Sequence, residues 1–245
     1  MSLGMVDRVE VKHAVPEAIA AQALDWSRAF LGPDRGVSGP QRVTSLYLDS
    51  PQLTFYQWYR QRRGHRFKLR VRGYGEQPGD RLFAEVKENS GRVRRKSRAE
   101  LPAAALAELL AGGNRVPNSG APDAARDEFV ARCRAYGACP TLLVSCLREA
   151  LRDAGAAGEV AVTADRRIVC QATSRPDLVA SPDRWRSLVL PARHGCQAVT
   201  IVELKYPAHP PAWMATLLRH LAPYRVSFSK YADAVRQHGV WSRVA

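Results

Sequence analysis

The sequence predicts an α+β protein in which a closed antiparallel β-barrel of about eight strands carries helices packed on its outside. Several segments alternate charged and apolar residues with a period of two, which is the pattern of strands with two different faces. Other segments combine helical periodicity with helix-start and helix-stop residues. In a closed barrel the charged set would point inward, so the charged residues would line a tunnel.

The clearest strand pattern lies between Phe67 and Arg98, where three successive runs each put charged residues on one face. The charged residues of the three runs are Lys68, Arg70 and Arg72; Glu85 and Lys87; and Arg94, Lys96 and Arg98. A turn at Gly91 separates the second run from the third, which is a hairpin signal. Like charges on neighbouring strands repel. This array of charged residues on three strands therefore favours a polyanion-binding face somewhat over an ordinary solvated sheet face.

The remaining elements of the first half follow from local signals. Pro16 opens the first helix, and Gly32 and Pro33 end it. Ser50 and Pro51 end a strand. The predicted elements are a strand over 6–15, a helix over 16–31, a strand over 42–49, a short helical turn over 54–61 and, after the charged strands, a helix over 102–110.

The second half of the chain is likewise predicted to contain both strands and helices, separated by turns and loops. Residues 112–122 are rich in Gly, Pro, Asn and Ser and predict a loop, after which Asp123 caps a helix that runs to Tyr136. The later predictions are strands over 141–151, 160–169 and 199–206, a turn over 155–158, an irregular segment over 171–197, a helix over 213–221, and a strand over 226–231 that leads into a terminal helix.

Composition limits the cellular setting and the partners. The chain has 245 residues, of which 46% are hydrophobic, and a formal net charge of +14. A strongly basic balance indicates an anionic partner. No apolar run approaches the roughly 20 residues that span a bilayer, and the N-terminus lacks a signal-peptide core. The five cysteines are odd in number and have no C-x-x-C spacing, so we expect reduced thiols in a cytoplasmic protein.

The repeated placement of acidic and basic residues at i and i+2 also indicates a ligand. The same pattern occurs outside residues 67–98, in Glu10 with Lys12 and in Glu203 with Lys205. Burying many charges is costly unless an oppositely charged ligand neutralises them, and a chain of phosphates would do so through Arg and Lys. Glutamates do not bind phosphate, but they can hold a divalent cation that bridges to phosphate oxygens.

Taken in order, these motifs resemble the VTC domain, the polyphosphate polymerase domain of the CYTH-like triphosphate tunnel metalloenzyme superfamily. The resemblance covers nearly the whole chain as a single domain over residues 1–245. The ordered set, rather than any one motif, carries it. The matching motifs are Arg8-x-Glu10-x-Lys12, Ser45 to Asp49, Lys68-x-Arg70-x-Arg72-x-Tyr74, Glu85-x-Lys87, Arg94-x-Lys96-x-Arg98, Thr163-x-Asp165, Glu203-x-Lys205-Tyr206 and Ser229-Lys230-Tyr231.

The resemblance implies metal-dependent transfer of a phosphoryl group from a nucleoside triphosphate to polyphosphate, with Mn²⁺ or Mg²⁺ as cofactor. It implies metal ligands at Glu203, Glu10 and Glu85. Implied catalytic residues are Lys12, Arg70, Arg72, Lys87, Arg148 and Lys230. The implied phosphate ligands are Lys12, Lys68, Arg70, Arg72, Lys87, Arg94, Lys96, Arg98, Arg148, Lys205, Ser229 and Lys230. Nucleoside triphosphate, polyphosphate or inorganic phosphate would be the ligands, and a membrane protein is a conceivable partner.

Two departures from the family pattern leave alternatives open. Cys146 stands where the family has Tyr, and Ala161 stands where it has Arg, with Arg166 or Arg167 as candidate replacements for the missing charge. A triphosphatase of the same fold, or a polyphosphate sensor with impaired catalysis, therefore remains an alternative. A nucleic-acid-binding protein ranks below them, because its main support beyond net charge is the aromatic and basic segment over 56–66.

Overall fold

The protein was examined as a computed structural model, which describes residues 8–91, 93–111, 123–155, 158–191 and 197–239. The predicted loop over 112–122 lies outside these ranges, as do parts of the first strand, the turn over 155–158 and the irregular segment. The strands are β1 Arg8–Val15, β2 Gly32–Pro33, β3 Gln41–Asp49, β4 His65–Tyr74, β5 Arg81–Ser90, β6 Val93–Pro102, β7 Cys139–Gly155, β8 Gly158–Ala172, β9 Arg186–Ser187, β10 Thr200–Pro207 and β11 Arg225–Val226. The helices are α1 Glu17–Arg28, α2 Thr54–Arg60, α3 Ala105–Leu110, α4 Ala124–Tyr136, α5 Ala212–Leu221 and α6 Lys230–His238.

The sheet is open, so the prediction of a closed barrel was wrong. Its strand order is β11-β1-β10-β8-β7-β3-β4-β5-β6, with β2 paired to β7 and β9 paired to β8. In the described ranges no pairing joins the two ends of this order, β11 and β6. One end is a two-residue strand that covers only Lys12 and His13 of β1. The other end, β6, is rich in Arg and Lys, which is a common property of unpaired edge strands.

Local signals located most elements correctly, and the misplaced boundaries have physical causes. The helix predicted over 102–110 begins only at Ala105. Pro102 instead ends β6, because the ladder with β5 continues to the Arg81–Pro102 pair. Strand pairing thus overrides the helical propensity of this Ala/Leu-rich segment. The first helix ends at Arg28 rather than Leu31, where the carbonyl of Ser27 accepts bonds from the next residues in a tight turn.

Two compact units divide the chain. The first unit contains Met1–Gln41, Cys146–Ile168 and Val189–Phe228. Its core is formed by apolar residues of β1, β8 and β10 packed with α1 and α5, and Leu24, Val202 and Met214 are almost fully buried there. These strand residues alternate with the charged set, as the period-two pattern predicts.

The second unit contains Arg42–Ser145, Val169–Leu188 and Ser229–Ala245. Its core lies on the apolar face of β3 to β6, where Leu69, Val71 and Leu101 are buried together with Phe55 of α2 and Phe129 of α4. The boundary between the units falls inside the long strands β7 and β8. None of the helices in the described ranges has the length and apolar character that crossing a membrane requires.

Candidate phosphate-binding site

The second unit carries two rows of charged residues across β4, β5 and β6. In the first row, Lys68, Lys87 and Lys96 lie directly opposite one another on adjacent strands. In the second row, Arg70, Glu85 and Arg98 do the same. Residues opposite one another have Cβ atoms only about 5 Å apart, so three ammonium groups in one row repel each other. An anion with several negative charges would relieve that repulsion.

Glu85 lies at the centre of this basic cluster, which we define as Lys68, Arg70, Lys87, Lys96 and Arg98. Its side chain is 0% exposed. Its Oε2 accepts a hydrogen bond from Nε of Arg70 at 2.6 Å. Its Oε1 lies 2.9 Å from Nζ of Lys96 and 3.8 Å from Nε of Arg98. One buried carboxylate therefore lies within 4 Å of nitrogens of three cationic side chains.

The pKa values reflect this imbalance. Burial opposes ionisation of Glu85, but the charges of Arg70, Arg72 and Lys96 hold its pKa well below the ordinary range. Burial lowers the pKa of Lys96 to about 8, an effect that Glu85 opposes and that the charge of Arg70 reinforces within this net value. The Lys96 side chain is nevertheless 45% exposed, so its ammonium group is accessible to a ligand.

Aromatic rings and hydroxyls orient the arginines. The guanidinium of Arg98 lies 3.7 Å from the ring centroid of Phe83, a cation–π contact that fixes its plane. Arg72 is 7% exposed, and its Nε donates to Ser45 Oγ at 3.3 Å. Arg94 lies opposite Asn89 near the exposed end of the hairpin. Of the predicted phosphate ligands in these strands, Arg94 is thus farthest along the ladder from the Glu85 row.

The beginning of α6 adjoins the same cluster. Ser229 caps α6, accepting a bond from the amide of Ala232, and its Oγ also accepts a 2.6 Å bond from Nζ of Lys68. Lys68 additionally lies over the ring of Tyr59, at 4.4 Å. Ser229 and Lys230, both predicted phosphate ligands, are thereby brought to the part of the second unit that holds Lys68.

Sequence analysis missed the network that holds α6 in place. Asp49 is fully buried, and its carboxylate accepts bonds from the amides of Ser50, Phe55 and Tyr56. It also accepts a 2.6 Å bond from the Tyr231 hydroxyl. The Tyr231 ring stacks on Tyr47, whose hydroxyl accepts a bond from Nη1 of Arg70. The motifs that contain Asp49 and Tyr231 therefore act here as scaffolding, and their distance in sequence hid the contact.

The first unit carries a charge-balanced set on β1 and β10, which we call the acidic–basic quartet: Glu10, Lys12, Glu203 and Lys205. Glu10 pairs in register with Lys205, and Lys12 pairs with Glu203. Nζ of Lys12 lies 3.6 Å from Glu10 and 3.5 Å from Glu203, and it donates to the Phe228 carbonyl at 3.1 Å. Nζ of Lys205 lies 2.8 Å from the other oxygen of Glu203. Opposite charges therefore face each other across the two strands.

The three predicted metal ligands differ in how well they fit a divalent cation. Glu10 and Glu203 fit, because both carboxylates approach one ammonium and could approach one metal ion. Glu85 does not fit, since it lies in the other unit and its oxygens already contact three cations. Within the described residues no three acidic, Cys or His side chains gather around one point. A cation held by these two carboxylates would need further ligands, which water or phosphate oxygens could supply.

Arg148 is held by a partner that the prediction left without a role. Its Nε and Nη2 each donate a 2.7 Å bond to the buried carboxylate of Asp165. Cys146 also donates to Asp165, with 3.6 Å between sulfur and oxygen. Because two of its donors bind Asp165, Arg148 has fewer N–H groups for phosphate than a guanidinium without such a partner.

Arg166 does not replace the charge missing at Ala161. Ala161 lies opposite Lys205, on the face that carries the quartet. Arg166 points to the other face, where it bonds Glu17 at 2.6 Å and Glu149 at 3.2 Å. Thr163 lies opposite Glu203, and its buried hydroxyl has no hydrogen-bond partner among the residues that the structure describes. The quartet face is thus less basic here than the family pattern implies.

The aromatic and basic segment over 56–66 does not form a row of stacking platforms. Tyr56 is buried, and the partly buried Trp58 packs edge-on against Phe67 and Tyr136 beside the core of the second unit. Single-strand binding uses exposed aromatic rings on which bases stack. These rings therefore give the nucleic-acid alternative little support.

One compositional signal escaped sequence analysis altogether. The chain uses Arg for nearly all of its basic residues, and every lysine it has is a predicted phosphate ligand: Lys12, Lys68, Lys87, Lys96, Lys205 and Lys230. Lys is a compact point charge with rotatable donors, whereas Arg is a planar fork. The selective placement of Lys could have marked both clusters without any structure.

Together, the charged rows place Lys and Arg side chains opposite one another on adjacent strands of an antiparallel sheet. The model of the VTC domain family matches residues 7–238, which is nearly the whole chain. The protein therefore belongs to the VTC domain family, as the motif order predicts, and its function is related to polyphosphate at that general level. A search of curated proteins found no match.

Proposed function

We propose that the protein is a metal-dependent phosphotransferase that moves the terminal phosphoryl group of a nucleoside triphosphate onto polyphosphate. The row of three lysines beside the Arg70–Glu85–Arg98 row carries this proposal. Repulsion within that row is tolerated more easily if a multiply charged phosphate ligand occupies it during function. Membership of the VTC domain family supports the same chemistry.

The residues divide into two roles under this proposal. The basic cluster binds phosphate oxygens, with bidentate contacts from Arg70 and Arg98 and point charges from the lysines. Glu203 and Glu10 are the residues that would hold Mn²⁺ or Mg²⁺, which supplies charge neutralisation and orientation at phosphate oxygens when bound. Phosphoryl transfer needs positioning and charge stabilisation more than a covalent nucleophile. The side chains of both clusters are suited to that task.

The direct test is incubation of the purified chain with ATP or GTP, with and without Mn²⁺, while polyphosphate growth is followed on stained gels and phosphate release is measured in parallel. We expect chain growth that requires the metal and is lost in Glu203→Gln. Arg219→Gln is a suitable control, because Arg219 is an exposed residue of α5 whose side chain, within the described residues, donates only to Thr216 of the same helix. That variant should retain full activity.

Two results would replace the proposal with one of its alternatives. Metal-dependent phosphate release without chain growth would identify a triphosphatase. Tripolyphosphate binding without either activity would identify a sensor, and it would point to Ala161 and the Asp165-bound Arg148 as the cause. If tripolyphosphate fails to bind at all, the proposed function is wrong.

A further inference from the structure

We propose that Glu85 is an intramolecular counter-ion that positions the phosphate-binding cations, and that it does not bind the metal. This inference rests on the proposed function, because it assigns a role within the same basic cluster. It makes Glu85 a positioning residue, whose effect on the ligand passes through Arg70, Lys96 and Arg98. It also separates Glu85 from Glu203 and Glu10, to which the family resemblance gave a common role.

Burial and contacts of Glu85 carry the argument. The carboxylate has no exposed surface, and each of its oxygens lies within 2.9 Å of a nitrogen of the cluster, Oε2 of Arg70 Nε and Oε1 of Lys96 Nζ. A divalent metal would have to displace Nε of Arg70 from 2.6 Å and Nζ of Lys96 from 2.9 Å. Those cations would then lie beside the metal charge with no counter-charge between them, which is strongly unfavourable in a buried setting.

The two units differ in a way that supports the assignment. Glu203 and Glu10 face as many cations as carboxylates within the quartet, so a metal ion there adds to a neutral set. Glu85 is a single carboxylate among the five cations of the basic cluster. Removing its charge takes away the carboxylate that Arg70, Lys96 and Arg98 share, whereas removing that of Glu203 leaves a poorer metal site.

A positioning role has a specific consequence for binding. Held by Glu85 on one side, Arg70 and Lys96 are fixed on the sheet face before the ligand arrives, which reduces the ordering cost of binding. The same negative charge also opposes the ligand. Glutamine in its place keeps the shape but removes that opposing charge, so a polyanion should bind the variant more tightly at low salt, by roughly tenfold.

The test compares Glu85→Gln with Glu203→Gln by calorimetry, using tripolyphosphate without metal and then Mn²⁺ titrated into the tripolyphosphate complex. We expect Glu85→Gln to bind tripolyphosphate more tightly than wild type, with a steeper salt dependence and an unchanged Mn²⁺ affinity. Glu203→Gln should show the reverse pattern, with Mn²⁺ affinity lowered at least tenfold and metal-free binding largely kept. A purely structural role for Glu85 would not strengthen anion binding.

Melting experiments keep the proposal testable if Glu85→Gln folds poorly. The variant should have a lower melting temperature than wild type. Tripolyphosphate should raise the melting temperature of the variant by more than it raises that of the wild type, since the ligand replaces the lost counter-charge. Adding Lys96→Met removes one uncompensated cation, so the double variant should melt higher than Glu85→Gln alone. A double variant that melts lower would overturn the proposal.

Other results separate this proposal from the proposed function. Weaker tripolyphosphate binding by Glu85→Gln, or a loss of Mn²⁺ affinity equal to that of Glu203→Gln, would overturn the counter-ion role while leaving phosphotransfer intact. No binding of tripolyphosphate by wild type would overturn the proposed function itself.

Discussion

The acidic–basic quartet of the first unit and the basic cluster of the second both place charged residues at positions i and i+2 of a strand, but the two sets differ in net charge. In the quartet, each charged residue of β1 faces an opposite charge on β10. In the cluster, Lys68, Lys87 and Lys96 face one another, and one carboxylate lies among the cations. The quartet is close to neutral, whereas the cluster is strongly positive.

The difference shows that cross-strand register decides the chemistry of a strand with charges at i and i+2. Glu85-x-Lys87 and Glu203-x-Lys205 are the same motif. The first is opposite Lys96 and Arg98, and the second is opposite Glu10 and Lys12. The first therefore lies among cations and the second among opposite charges, and under the proposed function the first binds the anion and the second the metal ion. The following variants test that division, from the largest expected effect to the smallest.

Arg70→Gln should damage the basic cluster most. Arg70 is only 17% exposed and donates to both Glu85 and Tyr47, so its loss removes two contacts inside the cluster together with one positive charge. Loss of its charge-assisted bonds should weaken tripolyphosphate binding by roughly 10- to 100-fold. Fluorescence or calorimetric titration measures the change, with Arg219→Gln as the charge-matched control. Equal weakening by the control would mean that net charge, rather than the cluster, drives binding.

Glu203→Gln should abolish the response to metal while sparing metal-free binding. Glu203 is the better-buried carboxylate of the pair that shares Lys12. We expect the Mn²⁺ affinity of the tripolyphosphate complex, measured by calorimetry, to fall at least tenfold, so that chain growth is lost at Mn²⁺ concentrations that support it in the wild type. Glu100→Gln is a useful control, because Glu100 is an exposed carboxylate that pairs with Arg81. An unchanged metal response in Glu203→Gln would exclude the quartet as the metal site.

Tyr231→Phe should destabilise the second unit and leave the contacts of the first unit unchanged. The substitution removes the 2.6 Å bond to the buried Asp49 and leaves the ring stacked on Tyr47. Asp49 keeps its three amide donors, so the expected loss is that of one hydrogen bond, and the free energy of unfolding should fall by about 0.5–1.5 kcal/mol. Urea unfolding measures the change. A variant as stable as wild type would mean that the Asp49 network does not hold α6.

Tripolyphosphate binding should weaken a few-fold as the pH rises through about 8, the value to which burial lowers the pKa of Lys96. The charged ammonium is the binding form, so binding is full below this pKa and declines above it. Lys96→Arg stays charged throughout this range and should remove the step. Affinity measured from pH 7 to pH 9.5 tests this. The same step in Lys96→Arg would assign it to another group or to the ligand.

Period-two alternation was sufficient to predict the long strands and the charged face of each. It placed Lys68, Arg70 and Arg72 on one side of β4 and Leu69 and Val71 in the core. Alternation could not predict whether the sheet closes into a barrel. A sheet closes only if its two end strands pair, and that depends on the lengths and the residue composition of those end strands. The barrel prediction failed for this reason.

The candidate site was predictable as a set of residue types but not as contacts. Motif order correctly indicated the VTC domain family. It could not reveal that Asp165 engages Arg148, or that Glu85 is enclosed by cations, since each contact joins neighbouring strands through their side chains. Asp49 and Tyr231 are separated by most of the chain, and only the fold brings their side chains together.

The most direct test of the division between the two units is calorimetry of tripolyphosphate binding by wild type, Arg70→Gln and Glu203→Gln, each with and without Mn²⁺. We expect Arg70→Gln to lose affinity in both conditions, and Glu203→Gln to lose only the increment that Mn²⁺ adds. Equal loss by the two variants in the absence of metal would contradict the account, because the quartet would then be part of the anion site itself.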